Sequence, residues 1–137
     1  GYYGERIVLA AQQLGLNTCW VALTYRRKKT KCVIGEGEKL VCVIALGYVE
    51  TQGVPHKSKP MDALCRTDGT APDWFVSGMQ SAMLAPTAMN RQGFCFTPTS
   101  AGVKAEISGG AYSGIDLGIV KYHFEIGAGA ENFQWTT

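Results

Sequence analysis

The most specific local signal in this sequence is the octapeptide Ala85-Pro86-Thr87-Ala88-Met89-Asn90-Arg91-Gln92. Residues 72–85, which run into it, are predicted to form a helix whose inward face is Phe75, Gly78, Met79 and Ala82. Because proline disfavours helical geometry in the residue before it, we expect this helix to stop near Ala85, just before Pro86. The backbone amides of Thr87 and Ala88 would then lie outside the helical hydrogen-bond ladder, free to meet a ligand.

The side chains of the octapeptide leave two interpretations open. Its small residues would let a flat ring approach the backbone, and the Asn90 and Gln92 amides could pair with donors and acceptors along the edge of a heterocycle. The same two amides could instead satisfy the backbone of an ordinary polar loop. Residue chemistry alone does not choose between a ligand site and such a loop.

The rest of the chain alternates helical and extended patterns, which predicts an α+β fold with a mixed sheet flanked by helices. Helices are predicted at 5–14, 72–85 and 115–128, a short helix at 61–66, and extended segments at 16–24, 40–46, 94–97, 103–107 and 132–137. The apolar face of the first helix is assigned to Ile7, Ala10, Ala11 and Leu14. Residues 40–46 lack polar alternation, which predicts a strand buried on both faces.

Two helix ends carry recognisable signals. Gly15 is expected to cap the carboxyl end of the first helix. Ser113 and Asp116 resemble a capping box at the start of the last predicted helix, with aspartate in place of the usual glutamate.

Composition excludes several function classes. Of the 137 residues, 46% are apolar and 18% are charged, and the net charge is only +2, so disorder and dominant attraction to nucleic acid are both disfavoured. The longest apolar run is 40–46, far shorter than the roughly 20 residues of a membrane-spanning helix. We therefore predict neither a nucleic-acid partner nor a membrane partner.

The cysteines and histidines indicate reduced thiols and no metal. Five cysteines form no CxxC pair, and the two histidines lie far apart in the sequence. An odd cysteine count without a visible signal peptide is typical of a cytoplasmic protein with free thiols. Cys19, beside Trp20, is interpreted as a structural thiol.

Two basic stretches have alternative interpretations. Lys57 and Lys59 point the same way if their loop is extended, and Pro60 favours that form, so the two ammonium groups would suit a dianion. They could equally form a solvated loop tip. The basic run at 26–31 could contact nucleic acid, but it has few interleaved aromatics and is more typical of a solvated helix face.

Three stretches together resemble the nitroreductase family of flavoproteins. The octapeptide is similar to the family's AP-S/T-A-x-N-x-Q motif, and residues 9–21 (LAAQQLGLNTCWV) resemble a later helix and its following loop. Residues 41–48 resemble the closing strand, and residues 56–60 resemble the basic phosphate loop. The resemblance implies a nitroreductase-like fold and bound flavin mononucleotide (FMN).

The order of these stretches is reversed relative to an ordinary family member. This resembles the TM nitroreductases, in which one chain holds two family-like halves. Residues 1–66 would then end the first half and residues 67–137 form the second. The eleven-residue intervals Gly4–Gly15 and Gly118–Gly129 fit such a repeat, although two unrelated helices would also explain them. The family's R-x-S-x-R motif would lie upstream, so we expect this chain to be a carboxyl-terminal part.

The resemblance implies a role for nine residues of this sequence. Pro86, Thr87, Ala88 and Asn90 would contact the flavin ring or its ribityl chain. Trp20, Val21 and Ala22 would lie against the isoalloxazine, and Lys57 and Lys59 would hold the phosphate. No catalytic side chain and no metal is implied, because the cofactor carries the redox chemistry.

The implied activity is FMN-dependent electron transfer from NAD(P)H to a nitroaromatic, quinone or similar acceptor, by a ping-pong mechanism. A missing amino-terminal segment or a homodimer partner would complete the site. The alternative is a non-catalytic flavin-binding or dimerisation module of the same fold. Gln92-Gly93-Phe94 stands where the family has Gln-Pro-Trp, a departure that favours this alternative.

Overall fold

The computed structural model describes residues 1–136, so the predicted extended tail is described except for Thr137, which lies outside these residues. The regular elements are α1 (Tyr2–Gln13), β1 (Asn17–Val21), β2 (Val43–Gly47), α2 (Asp73–Ala82), β3 (Phe94–Thr99), β4 (Gly102–Ile107), α3 (Ser113–Ala128) and β5 (Trp135–Thr136). The chain divides into two compact units, one made of residues 1–6 and 54–137 and the other of residues 7–53.

The larger unit packs helices α2 and α3 against a mixed sheet. Strands β3 and β4 are antiparallel, and β5 joins β4 in parallel, giving the order β3-β4-β5. Cys65 adds a parallel bridge to Phe96 on the opposite edge of β3. This mixed sheet flanked by helices confirms the predicted fold class.

Aromatic rings form the core between the sheet and the helices. Phe124 of α3 meets Phe75 of α2 and Phe96 of β3 edge to face, with ring centroids 5.4 and 5.0 Å apart. These three side chains are at most 1% exposed. Edge-to-face packing of buried rings adds favourable quadrupole contacts to the burial of apolar surface.

Helices α2 and α3 approach closely because small residues face each other. A Cβ added at Gly78 would lie 2.7 Å from the Phe124 ring, and one added at Gly127 would lie 2.4 Å from the Ser77 carbonyl oxygen. The inward face predicted for α2, Phe75, Gly78, Met79 and Ala82, is confirmed as the buried face.

The smaller unit holds most of α1 and a two-stranded sheet. Strand β1 pairs antiparallel with β2, in the register Asn17 with Gly47 and Val21 with Val43. Residues 27–29 form one turn of 3₁₀ helix whose cations are exposed. Gly15 ends α1 with φ of 75°, in the left-handed region that glycine adopts readily, which confirms the predicted cap.

The buried face of α1 differs from the predicted one. Ala11 is buried as predicted, but Ile7, Ala10 and Leu14 are exposed, and Glu5 and Val8 are buried instead. Glu5 is buried because its carboxylate lies 2.8 Å from Nε2 of His123, a buried histidine on α3. A carboxylate with a buried partner can occupy a position that apolar periodicity assigns to solvent.

The strand predicted at 40–46 is also corrected. The observed strand is β2, three residues later, and its Ala45 and Leu46 are exposed. Among the described residues its sheet has only β1 beside it, so the strand is not buried on both faces. The unbroken apolar run at residues 40–46 therefore does not indicate a strand buried on both faces.

Candidate functional site

The octapeptide forms a loop with an unusual backbone. Its residues Ala88–Asn90 make one 3₁₀ turn after an extended Thr87. Three non-glycine residues have positive φ, namely Met89 at 55°, Asn90 at 51° and Gln92 at 46°. Left-handed backbone costs free energy for residues with a Cβ, and it persists where the surroundings over-determine it, often at functional sites.

Bonds within the loop account for part of this conformation. Thr87 accepts at both of its oxygens: its carbonyl takes the Asn90 N–H at 2.9 Å and its hydroxyl takes the Gln92 N–H at 3.0 Å. Asn90 Oδ1 accepts Nε2 of Gln92 at 2.7 Å. The loop is therefore closed on itself between Thr87 and Gln92.

Gln92 connects the loop to the basic segment 57–59. Its Oε1 accepts the Lys59 N–H at 2.8 Å, and its Nε2 donates to the Lys57 carbonyl at 2.8 Å. Asn90 Nδ2 donates to that same carbonyl at 3.0 Å. Gln92 is only 3% exposed, so its amide is committed to protein partners. Of the two interpretations given for Asn90 and Gln92, the one in which their side-chain amides bond backbone groups fits this geometry. The backbone they bond belongs to the neighbouring segment 57–59.

The basic segment and His56, the residue before it, also contact two backbone carbonyls of the larger unit, those of Gln92 and Met83. Lys59 Nζ donates to the Gln92 carbonyl at 3.1 Å. His56 Nε2 lies 3.0 Å from the carbonyl of Met83, the residue that follows α2, and Ser58 Oγ donates to the same oxygen at 3.3 Å. Lys57 and Lys59 are exposed overall, so their ammonium groups can be reached from solvent.

Asp116 holds the other end of the octapeptide loop. Its Oδ1 accepts the Ala88 N–H at 2.9 Å, and the residue is only 7% exposed. Burial raises the pKa of this carboxyl, while the Ala88 N–H and the Arg91 guanidinium act in the opposite direction.

This contact corrects two predictions. The Ala88 amide is not free to meet a ligand, because Asp116 occupies it. Asp116 is also not half of a capping box: Tyr112 occupies the N-cap position, and no side chain caps α3. A carboxylate near the start of a helix is equally able to accept an N–H from a neighbouring loop, and here the loop is its partner.

The sequence-predicted residues fall into two groups. Pro86, Thr87, Ala88 and Asn90 lie in the larger unit together with the two lysines. Hydrogen bonds join the octapeptide loop to the basic segment 57–59, which contains both lysines and is called the lysine segment below. The first group is therefore one connected cluster.

The second group belongs to the smaller unit. Trp20 and Val21 lie on β1, opposite Ile44 and Val43 of β2, and Ala22 follows the strand directly. All three are half-buried. Their implied contact with flavin stays a prediction.

Sequence reasoning missed Asp116 as a member of this site. The sequence signal for this residue is a carboxylate within the apolar stretch Ile115–Val120. Burying such a carboxylate with its apolar neighbours costs free energy unless it accepts a hydrogen bond. The described residues contain no group of three or more histidine, cysteine, aspartate or glutamate side chains able to hold a metal. No described helix is both long and apolar enough to cross a membrane.

Comparisons with known proteins identify a family from the sequence and a fold from the structure. The family model described as "Putative TM nitroreductase" matches residues 1–128. The structure is similar to the crystal structure of a protein titled a putative nitroreductase from Thermotoga maritima, with a TM-score of 0.70 and 24% sequence identity. That match covers 91% of this chain and 51% of the Thermotoga chain, so this chain spans about half the length of its structural relative. No curated protein matches the sequence. At this identity the structural likeness shows the nitroreductase-like fold, and because the family model spans nearly the whole sequence, the chain belongs to the TM nitroreductase family.

Proposed function

We propose that this chain is part of an FMN-dependent oxidoreductase that passes electrons from NAD(P)H to a nitroaromatic, quinone or similar flat acceptor by a ping-pong mechanism. Family membership supports the oxidoreductase class. The observation that carries the FMN proposal is the strained octapeptide loop, closed by its own hydrogen bonds and joined through Gln92 to a segment with two exposed lysines.

The residues of this cluster fit the chemistry of FMN. The cofactor combines a flat ring with a phosphate dianion, so it needs small residues near a fixed backbone and cations nearby. Thr87 and Ala88 supply the small side chains, and the ammonium groups of Lys57 and Lys59 supply the cations. When bound, FMN would carry the electron pair between the two substrates, and the protein would contribute position and electrostatics.

We assign the predicted roles accordingly. Pro86, Thr87, Ala88 and Asn90 would contact the ring or the ribityl chain. Since its N–H is occupied by Asp116, Ala88 would contribute its methyl group. Trp20, Val21 and Ala22 retain their proposed role against the isoalloxazine, in the smaller unit.

Lys59 is the better prepared of the two phosphate ligands. Its Nζ donates one hydrogen to the Gln92 carbonyl at 3.1 Å, which leaves two of its three N–H donors for an anion. Holding the side chain in advance reduces the rotamer entropy lost on binding, which is large for a free lysine. Lys57 would contribute mainly through its charge.

The complete protein is proposed to extend beyond these residues. The chain spans about half of its structural relative, which supports the proposal that a further amino-terminal segment or a homodimer partner completes the site. Residues 1–66 and 67–137 would be the two family-like halves. We propose a cytoplasmic location, because five free thiols suit a reducing compartment.

Flavin titration tests the proposal. We expect the protein to bind FMN and to quench its fluorescence. Lys59→Met should weaken FMN binding by about tenfold, since a charge-assisted contact is lost, while binding of riboflavin, which has no phosphate, stays unchanged. Lys28→Met, which removes an exposed cation in the smaller unit, is the matched control and should change neither affinity. The proposal is wrong if the protein, with its native mass measured so that its assembly is known, retains no yellow colour after it is incubated with excess FMN and separated from the free cofactor.

The non-catalytic module remains the second candidate function. Phe94, which stands where the family has tryptophan, is only 2% exposed and packs against Phe96 in the core. A buried ring at this position favours a structural role. NADH or NADPH added anaerobically distinguishes the two: bleaching of the flavin absorbance supports the oxidoreductase, and bound flavin that never bleaches supports the silent binder.

A further inference from the structure

We propose that Asp116 is a positioning residue: its buried carboxylate holds the Ala88 peptide from helix α3 and so preorganises the octapeptide loop for the flavin. This inference rests on the proposed function, because preorganisation matters only if the loop receives a ligand. It assigns to α3 a part in the site that the family motif, which ends at Gln92, does not contain.

The loop needs such an anchor because of its backbone. Met89, Asn90 and Gln92 all have positive φ, and a strained segment relaxes to ordinary conformations unless several contacts oppose the relaxation. The bonds of Gln92 and Asn90 act on the carboxyl end of the loop and reach a neighbouring loop, the lysine segment. The bond to Ala88 acts at the other end.

Asp116 is well placed to supply a rigid reference. It lies in the first turn of α3, a helix of sixteen residues whose Ile119, Val120 and Phe124 are buried in the core. A carboxylate accepting a backbone N–H makes a stronger bond than a neutral acceptor, and burial from water strengthens it further. The loop therefore takes its position from the packed part of the larger unit.

The charge of Asp116 argues for more than a role in stability. Burial raises the pKa of this carboxyl, which means that keeping it ionised opposes folding. An asparagine could accept the same N–H without that cost. A charged group kept at a site where a neutral one would suit the fold better is typical of a residue retained for the properties of the site.

Two variants separate the carboxylate's charge from its role as acceptor. Asp116→Asn keeps an oxygen acceptor of the same size and removes the charge. Asp116→Leu removes both and leaves the Ala88 N–H without this partner. Asp73→Asn, at an exposed position in the first turn of α2, is the matched control.

The first measurement needs no flavin and follows the Ala88 amide by nuclear magnetic resonance. We expect slow hydrogen exchange at this amide and a resonance that titrates with the Asp116 carboxyl. Arg91 is the charged group that acts on this carboxyl. In Asp116→Asn the titration should vanish while protection remains, and in Asp116→Leu exchange should accelerate by at least about tenfold.

The second measurement is flavin affinity as a function of pH, with riboflavin as the probe because it lacks the titrating phosphate. Wild-type affinity should fall as the pH drops through the pKa of Asp116. We expect about tenfold weaker binding in Asp116→Leu. In Asp116→Asn we expect a flat pH profile, with thermal stability at neutral pH no lower than that of the wild type. A purely structural carboxylate would not give a pH dependence of riboflavin affinity that Asp116→Asn abolishes without loss of thermal stability.

The outcomes distinguish the two proposals. Fast exchange of the Ala88 amide in the wild type, or an Asp116→Leu variant that binds riboflavin as the wild type does, would overturn the role of Asp116. If Asp116→Leu fails to fold, Asp116→Asn still carries the test through its pH profile and the lost titration of the Ala88 amide. A protected, titrating amide in a protein that binds no flavin would support the anchor and refute the FMN function.

Discussion

Gln92 offers the sharpest test of the site's architecture, through the replacement Gln92→Glu. The change keeps the size of the side chain but turns the Nε2 donor into an acceptor. The new oxygen would face two acceptors, the Lys57 carbonyl at 2.8 Å and Asn90 Oδ1 at 2.7 Å. Gln92→Met is the companion variant, because it removes all side-chain hydrogen bonds without introducing repulsion.

The magnitudes follow from the three hydrogen bonds made by the Gln92 side chain. At about 1 kcal/mol each, their loss in Gln92→Met should lower the free energy of unfolding by about 1–3 kcal/mol, the lower values applying if water reaches the exposed lysine segment. Gln92→Glu at neutral pH should cost more, about 3–5 kcal/mol, since it buries a charge against two acceptors. The new carboxyl should have a raised pKa for the same reason.

Urea unfolding followed by circular dichroism measures both variants. Lowering the pH from about 7 to about 5 protonates the carboxyl at position 92 and restores a donor, so the gap between Gln92→Glu and Gln92→Met should narrow. Gln80→Glu makes the same chemical change at an exposed position of α2 and should shift stability by less than about 0.5 kcal/mol. The bridging role is refuted if Gln92→Glu is as stable as Gln92→Met at neutral pH.

Two further predictions concern the scaffold. Gly127→Ala should destabilise the protein by about 1–3 kcal/mol, because its Cβ would lie 2.4 Å from a backbone carbonyl of α2, whereas Gly114→Ala, with open space around it, should be neutral or gain up to about 1 kcal/mol of helix propensity. Thermal unfolding compares the two, and a shift of the same sign in both would contradict the close packing. The hydrogen bond from Tyr2 to Glu125 raises the pKa of Tyr2 to about 12. The neutral phenol is the form that the fold favours, so its contribution is complete below pH 10 and is lost between pH 10 and about 12. Tyr2→Phe should remove that pH dependence of unfolding and the late step of the phenolate absorbance titration.

The sequence predicted best where apolar periodicity and burial coincide. The face of α2 was assigned residue by residue, because Phe75, Met79 and Ala82 have no polar competitor on that side of the helix. The antiparallel pair β3 and β4 was anticipated as two short strands, since alternation over residues 103–107 reflects one buried face and one exposed face. These patterns follow from the helix and strand repeats of the backbone, so they can be recognised in the sequence without knowledge of distant contacts.

Prediction failed where a polar group found a distant partner. Glu5 is buried because of His123, a residue 118 positions away, and no periodicity within α1 contains that information. The prediction for β2 failed for a related reason. An unbroken apolar run predicts burial on both faces of a strand, but among the described residues the sheet of β2 has only one other strand. Burial is set by the neighbouring elements, and residues 40–46 specify none of them.

Asp116 and Gln92 show the same limit at the site itself. Each was assigned from its nearest sequence neighbours, Asp116 as a helix cap and Gln92 as a ligand contact or a local loop amide. Each instead pairs with residues 28 to 35 positions away. The Asp116 side chain thus holds the backbone of the octapeptide loop, and the Gln92 side chain ties the loop to the lysine segment, before any ligand arrives. This geometry predicts that a flavin would meet a loop already held in its strained form, and that the free energy of ordering it is supplied by folding. Binding that remains weak in a well-folded wild type would then point to missing contacts elsewhere, while binding that weakens only in the Asp116 and Gln92 variants would point to the loop.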